Sequence, residues 1–412
     1  MSYEIESLKS VEVVAEQGTA YGTNVSGTAT YQSCRFTSAD MGKATEMLPV
    51  SIAHQKKFDR ENSAVGRKGS SLSLTSYMYG GGGTGLVVDS TLEANQDFAA
   101  ILQAIMGGRF ASEGAEVSGV PSGAGVFEVS AGSGSNFAPG QIVGRVNTNG
   151  KLEARQIHSI STDELTLHQA FSETPSDADM IYGSYSYFWE QNPTGSLQAL
   201  VRGAESDDVW VLQGMQGGFS FALELGQLPT ITFNLEGNTW SSGTAGAVSR
   251  QSYDSEAPPH FSDSDLLLYA SGSFPVAASS VPFSSINVQP NVNWVDVMGA
   301  HAVSNVVDKV LGPVDAESGA LTAEITLYYE DLTYLEALEQ KTEYGLFIQI
   351  GSAPGKTVAI SIPRMQITSM DRGDAAGIAG QTLTLVAHHD SYTESDGTNT
   401  ELAESPYKIA LL

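Results

Sequence analysis

Three clusters of residues have types and spacing that could do chemistry. In "YMYGGGGTGLVVDS", Gly80, Gly82 and Gly85 fit the G-x-G-x-x-G spacing that cradles a dinucleotide pyrophosphate. That chemistry needs a strand leading in and a helix opening at once, so that helix N–H groups face phosphate. The strand is present in "SSLSLTSYMY", but "LVVDSTLEA" follows, and "LQAIMGG" stands where the ribose-binding acid belongs. With 43 glycines in the chain, the spacing reads as a glycine connection. Gly355, Lys356 and Thr357 resemble the end of a phosphate-binding loop. Ile350 replaces its first glycine, and "TVAISI" alternates like a strand, so a hairpin turn carrying a lysine is expected. His388 and His389 beside Asp390 suggest metal ligation, yet adjacent strand residues point to opposite faces, which predicts a strand end entering a polar loop.

The remaining candidates carry no motif. His158 and His168 stand alone, and the pairs Asp207–Asp208 and Asp263–Asp265 are carboxylates in turn-like surroundings. "DSEAPPHFSDSD" lacks the closing Glu of a calcium loop. No zinc-binding or nucleophile-elbow pattern occurs, and Cys34, the only cysteine, reads as a small, partly buried residue. Tyr185, Tyr187, Phe188 and Trp189 offer either a stacking platform for sugars or bases or the packing of a sheet where two domains join. No catalytic, cofactor-binding or metal site is assigned, and no enzyme activity is expected.

The elements that would position such groups are mostly strands. The 412 residues are 41% hydrophobic and 16% charged, enough for large cores, and 20 basic against 47 acidic residues give a net charge of −27. Such a surface repels nucleic acid and anionic membranes unless a basic patch intervenes, and only "HQKK" and "GRK" are basic runs. No leader pattern or membrane-length apolar run is seen, which predicts folding in a cytoplasm.

Two helices stand out. In "NQDFAAILQAIMGG", Phe98, Ile101, Leu102, Ile105 and Met106 form one stripe, with Asn95 as cap and Gly107 as stop. In "YEDLTYLEALEQKTEYG", Leu332, Leu335 and Leu338 share a face and Gly345 follows the end. Each helix follows an alternating strand, a polar loop and an opening strand, and a pair of strands comes after. The chain therefore reads as two copies of a strand–loop–strand–helix–strands unit. Expected boundaries are 1–123 with 186–250 for the first unit and 251–412 for the second. A small closed barrel is inserted at 124–185, with Asn149-Gly150 at a hairpin turn.

In the order of these segments, the chain resembles the major tail tube proteins of long-tailed bacteriophages. "MLPVSIAHQKKFDRENSAVGRKGSSLSL", "LEANQDFAAILQAIMGG", the inserted segment and "LQGMQGGFSFALELGQLPTITFNLEGNTW" carry the resemblance. It implies two tandem tail-tube-like β-sandwich units, each with one flanking helix, in a mainly β fold. It implies self-assembly into stacked rings forming a tail tube, an acidic channel through which DNA passes without tight binding. The virion tail would be its location, and tape measure, terminator, tip or sheath proteins its other partners. Two units per chain favour a trimeric ring with pseudo-six-fold symmetry, and a single-unit reading requires a hexamer. The long loops "TEMLPVSIAHQKKFDRENSAVG" and "NVNWVDVMGAHAVSNVVDKVLGPVDAESG" are expected to reach the neighbouring ring. The alternative is a β-rich adhesin or carbohydrate-binding module, with the 185–189 aromatics as its platform.

Overall fold

The computed structural model describes residues 8–15, 32–48, 64–80, 98–190, 196–203, 209–243, 258–270, 272, 274–277, 279–298, 306–311, 319–328, 333–375 and 377–412. Strands dominate the described residues, so the protein is mainly β, as the alternating patterns require. The first half contains β1 (Leu8–Ala15), β2 (Gln32–Cys34), β3 (Ser38–Leu48), β4 (Ala64–Tyr77), α1 (Ala99–Met106) and β5 (Gly107–Ala111). Next come β6 (Ala115–Glu116), β7 (Val126–Glu128), β8 (Ile142–Val146), β9 (Leu152–Ser161), β10 (Glu164–Leu167) and β11 (Met180–Tyr182). The chain returns through β12 (Tyr185–Trp189), β13 (Leu197–Gly203), β14 (Val209–Glu224), β15 (Thr230–Gly237) and β16 (Thr239–Gly243). The second half contains β17 (Ser264–Ala270), β18 (Phe283–Pro290), β19 (Trp294–Met298), β20 (Val306–Leu311) and β21 (Leu321–Tyr328). It ends with α2 (Thr333–Gln340), β22 (Glu343–Ile350), β23 (Val358–Ala375), β24 (Ile378–Ala387), α3 (Thr400–Glu404) and β25 (Lys408–Leu411).

The two halves pair their strands in the same way. β1 pairs with β13, β13 with β14, and β14 with both β15 and β16. In parallel, β17 pairs with β22, β22 with β23, and β23 with both β24 and β25. The correspondence reaches single residues. Leu197 opposes Met215 and Ala199 opposes Leu212 across a bulge, while Tyr344 opposes Met365 and Leu346 opposes Ile362 across another. An extra residue at a matching place bends each long strand where it passes from one set of partner strands to another. The apolar faces meet in one core that includes Leu72, Leu74 and Met78 of the first half and Ile325, Ile360 and Leu383 of the second. Alternation placed Leu72, Leu74, Ser76 and Met78 together, and all four are at most 3% exposed.

Several local expectations change. α1 stops at Gly107, whose φ of 87° suits glycine, but its described start has Phe98 at the cap and Asn95 lies outside the described residues. After α2 the turn is made by Lys341 at φ 56°, not by Gly345. Gly345 lies in β22 opposite Tyr269, and a Cβ there would fall 2.1 Å from the ring, so glycine lets the aromatic lie across the strand. The long polar loop of the second half contains the hairpin β19–β20. Residues 49–63 of the first loop lie outside the described residues.

The insertion is a six-stranded barrel in the order β6-β11-β8-β9-β10-β7. It closes where Ser118 N–H donates to the Glu128 carbonyl and Ser130 N–H to the Glu116 carbonyl, both at 2.9 Å. β6 begins at Ala115, so the barrel starts before the expected boundary at 124. Gly150, at φ 74°, makes the expected hairpin turn between β8 and β9. Phe127, Val143, Ile157, Leu165 and Ile181 fill the interior. On the outside, Ile142, Leu152 and Ala154 pack on Leu267, Phe347, Ala359 and Ala410. The barrel therefore leaves the first half and docks on the second. β12 seals this route by pairing with both β5 and β25.

A buried polar cluster lies beneath the docked barrel. Lys408 Nζ donates to Asp390 Oδ2 at 2.9 Å and to the carbonyls of Ser405 and Ala403 at 3.1 and 3.2 Å. All three ammonium protons are thus satisfied at zero exposure. The Thr393 hydroxyl donates its one proton to Asp390 Oδ2 at 2.6 Å. Its oxygen therefore accepts from His168 Nε2 at 2.8 Å and from Gln156 at 3.1 Å, which places the His168 proton on Nε2. Ser361 donates to Gln156 from the second half. Burial pushes the His168 imidazole down to about 3, against the pull of Asp390. Burial alone would raise the Asp390 carboxyl, but the Lys408 ammonium, His168 and the Thr393 hydroxyl together outweigh it and hold the group at about 2.

Two outcomes follow from this cluster. Lys408→Met leaves the Asp390 carboxylate buried and unpaired, which should cost about 3–5 kcal/mol, read as a lowered Tm. A Lys408→Met/Asp390→Leu chain should recover most of that loss. The second concerns pH. The folded pKa of His168 lies below its unfolded value near 6.5, so its contribution is complete above about pH 6.5 and fades as pH falls toward 3. Tm measured from pH 7.5 to 4.5 should decline, and His168→Gln should flatten the decline.

Candidate assembly surface

Each half contributes four strands to one curled antiparallel sheet. Its order is β3-β4-β15-β14, then β18-β21-β24-β23, joined where the end of β14 pairs with β18. The halves again match. Ser38, Thr75, Thr232 and Ser220 form one cross-strand row, and Ser285, Thr326, Thr382 and Asp371 form its counterpart. Thr75 and Thr232 hydroxyls lie 3.1 Å apart, and Thr326 and Thr382 hydroxyls 3.2 Å apart. Hydrogen bonds along the rows, with Ser73 donating to Asn234 at 2.9 Å, hold the short polar side chains sideways.

One face of this sheet is the apolar core face. On the other, alternation places Ser, Thr, Asn and Gln with the exposed carboxylates Asp40, Glu224, Glu236, Glu324 and Asp371. Among the described side chains, no Lys or Arg occupies that face. Lys43 turns to the opposite side, with its ammonium 3.2 Å from the Trp210 ring centroid. Arg372 alternates away from Asp371. A cleft of about 500 Å³ opens on the polar face between Asp40, Ser73, Asn234, Glu236 and Trp294. The indole N–H of Trp294 donates to the Gly217 carbonyl at 2.9 Å, pinning the base of the β19–β20 hairpin over it. A face of hydroxyls and carboxylates offers water many partners and repels polyanions.

The two ends of the sheet are strand edges. Among the described residues, β3 pairs only with β4, and β23 from Ser369 onward pairs only with β24. Open edges of this length are templates for another strand.

The residues singled out by type fall elsewhere. Gly80 abuts the Lys356 turn, where a Cβ would lie 2.2 Å from the Lys356 carbonyl carbon, so close backbone approach accounts for this glycine. Gly82 and Gly85 lie outside the described residues. Lys356 N–H donates to the Ala353 carbonyl at 3.1 Å in the turn between β22 and β23, as a hairpin requires. β24 ends at Ala387, so His388, His389 and Asp390 stand where a strand enters a polar loop, as expected; His389 approaches Glu404 at 3.3 Å on the surface, while Asp390 is buried with Lys408. Asp263 ends a 3₁₀ turn, Asp265 accepts from Ser280, and Asp207 and Asp208 lie outside the described residues. His158 and His168 stack on Phe274 at 4.7 and 4.3 Å between ring centroids. Among the described residues, no group of three His, Cys, Asp or Glu could hold a metal. Tyr185, Tyr187 and Phe188 are at most 9% exposed, so they join sheets and present no stacking platform. Cys34 is buried. No helix of the described residues is long and apolar enough to cross a membrane.

No family model matches the chain, and no curated protein matches it.

The charge pattern has a measurable consequence. Replacing Asp40, Glu236, Glu324 and Asp371 with Lys should change stability little, since exposed substitutions typically stay within about 0.5 kcal/mol each. The variant should retain duplex DNA in a gel shift at low salt and release it as salt rises. The unaltered protein should retain none at either salt.

Proposed function

We propose that the protein is a structural, self-assembling subunit of a phage tail tube, with no catalytic role. The observation that carries this is the eight-strand sheet, built from two matching four-strand halves, with one face of hydroxyls and carboxylates and an edge at each end. A sheet of this kind completes itself by closure with further copies. Closure through both edges would turn this face, which has no Lys or Arg among its described side chains, into the lining of a channel. An acidic lining lets DNA slide, because phosphate finds no cation to hold it. Six matching halves from three chains favour a trimeric ring, and stacking of such rings gives a tube within a virion tail. The docked barrel would then stand on each ring three times.

The carbohydrate-binding alternative has less support, because Tyr185, Tyr187 and Phe188 are buried between strands and Trp189 is half-buried. Negative-stain electron microscopy of the concentrated, purified protein tests the proposal. Rings or tubes with a central pore and three barrel-sized projections per layer are expected. A monodisperse monomer under several salt conditions would overturn assembly, and six equal projections would overturn the trimer.

A further inference from the structure

We propose that successive chains join through β23 and β3 in a fixed antiparallel register, with Gly373 opposite Asp40 of the next copy. This rests on the self-assembly reading above and specifies the partner as a second copy of this chain. The chain already contains the joint in question. At the boundary between its halves, β14 pairs with β18: Phe221 opposes Val288, Ala222 opposes Asn287, Leu223 opposes Ile286 and Glu224 opposes Ser285. β23 is the counterpart of β14, and β3 is the counterpart of β18. The end of β23 and the outer side of β3 are the very edges that lack a strand partner among the described residues.

The register follows from matching the halves residue by residue, and two independent features give the same match. The first is the bulge, which pairs Met215 with Met365 and Leu212 with Ile362 as equivalents. The second is the threonine row, which equates Thr75 with Thr326 and Thr232 with Thr382. β23 carries one further bulge between Ile367 and Ser369. Counting through it, Ser220, which opposes Thr232, becomes equivalent to Asp371, which opposes Thr382. Ala222 then corresponds to Gly373. On the other strand, Ser285 opposes Thr326 as Ser38 opposes Thr75, so Asn287 corresponds to Asp40.

Carrying the internal joint over, Arg372 opposes Met41, Gly373 opposes Asp40, Asp374 opposes Ala39 and Ala375 opposes Ser38. Gly373 and Asp40 are both exposed, and both lie on the polar face. Alternation is preserved across this joint, because a slip by one residue would turn the core face of one copy toward the polar face of the next.

Disulfide trapping decides the register. In a Cys34→Ala background, Asp40→Cys/Gly373→Cys places two thiols at directly opposed positions. Asp40→Cys/Ser369→Cys displaces one thiol by four residues, roughly 13 Å along the strand, beyond disulfide reach. Under mild oxidation the first pair should form at least about tenfold more covalent multimer than the second, ending in a covalent closed ring. Size-exclusion chromatography with light scattering on the reduced proteins is run alongside. If both variants assemble but the displaced pair cross-links better, or neither does, the register is overturned while self-assembly stands. If reduced protein stays monomeric at every concentration, both the register and the assembly reading fall.

Discussion

The bend in the two long strands is the constraint on which the structure depends. β14 and β23 each pair first with one set of strands and then with another, and a single extra residue near Met215 or Met365 marks the change. Because the backbone hydrogen bonds of a strand must be satisfied along its whole length, each sheet inherits its position from that strand. The core between the sheets, the helices packed against it and the joint between the halves all take their places from this bend. Matching bulges in the two halves give matching sheets, and hence one continuous surface.

That surface separates two chemical environments with little thickness between them. Leu72, Leu74, Ile231 and Phe233 are nearly inaccessible on one side, while Ser73, Thr75, Thr232 and Asn234 line the other. The hydrophobic side contributes roughly 25 cal/mol per Å² buried and fixes the register. The polar side contributes little to stability and is free to be selected for its charge. Lys43, drawn to the aromatic face of Trp210, lies away from the polar face.

The docked barrel obeys a different logic. Beside its apolar contact with the second half, a buried charged cluster lies beneath it. A Lys–Asp pair at zero exposure adds little net stability over an apolar pair, yet it tolerates few alternative arrangements. The three Lys408 donors, the single Thr393 proton and the His168 tautomer fix one another. Such a cluster fits a module that must hold one orientation on its support.

The sequence by itself determined that the chain is mainly β, that Leu72, Leu74 and Met78 share a buried face, that Gly107 ends α1 and that Asn149-Gly150 turns a hairpin. These are local consequences of period-two alternation and backbone geometry, legible from neighbours in the chain. Only the tertiary structure decided that the inserted barrel docks on the half to which it is not attached, since no local pattern records where a closed module lands. It also decided the role of Asp390, whose partner Lys408 stands in the apolar run "KIALL"; a lone cation in such a run signals burial but does not name its counter-ion. The gathering of carboxylates on one sheet face likewise required the strand order, because Asp40, Glu236, Glu324 and Asp371 come from distant segments that only long-range pairing places side by side.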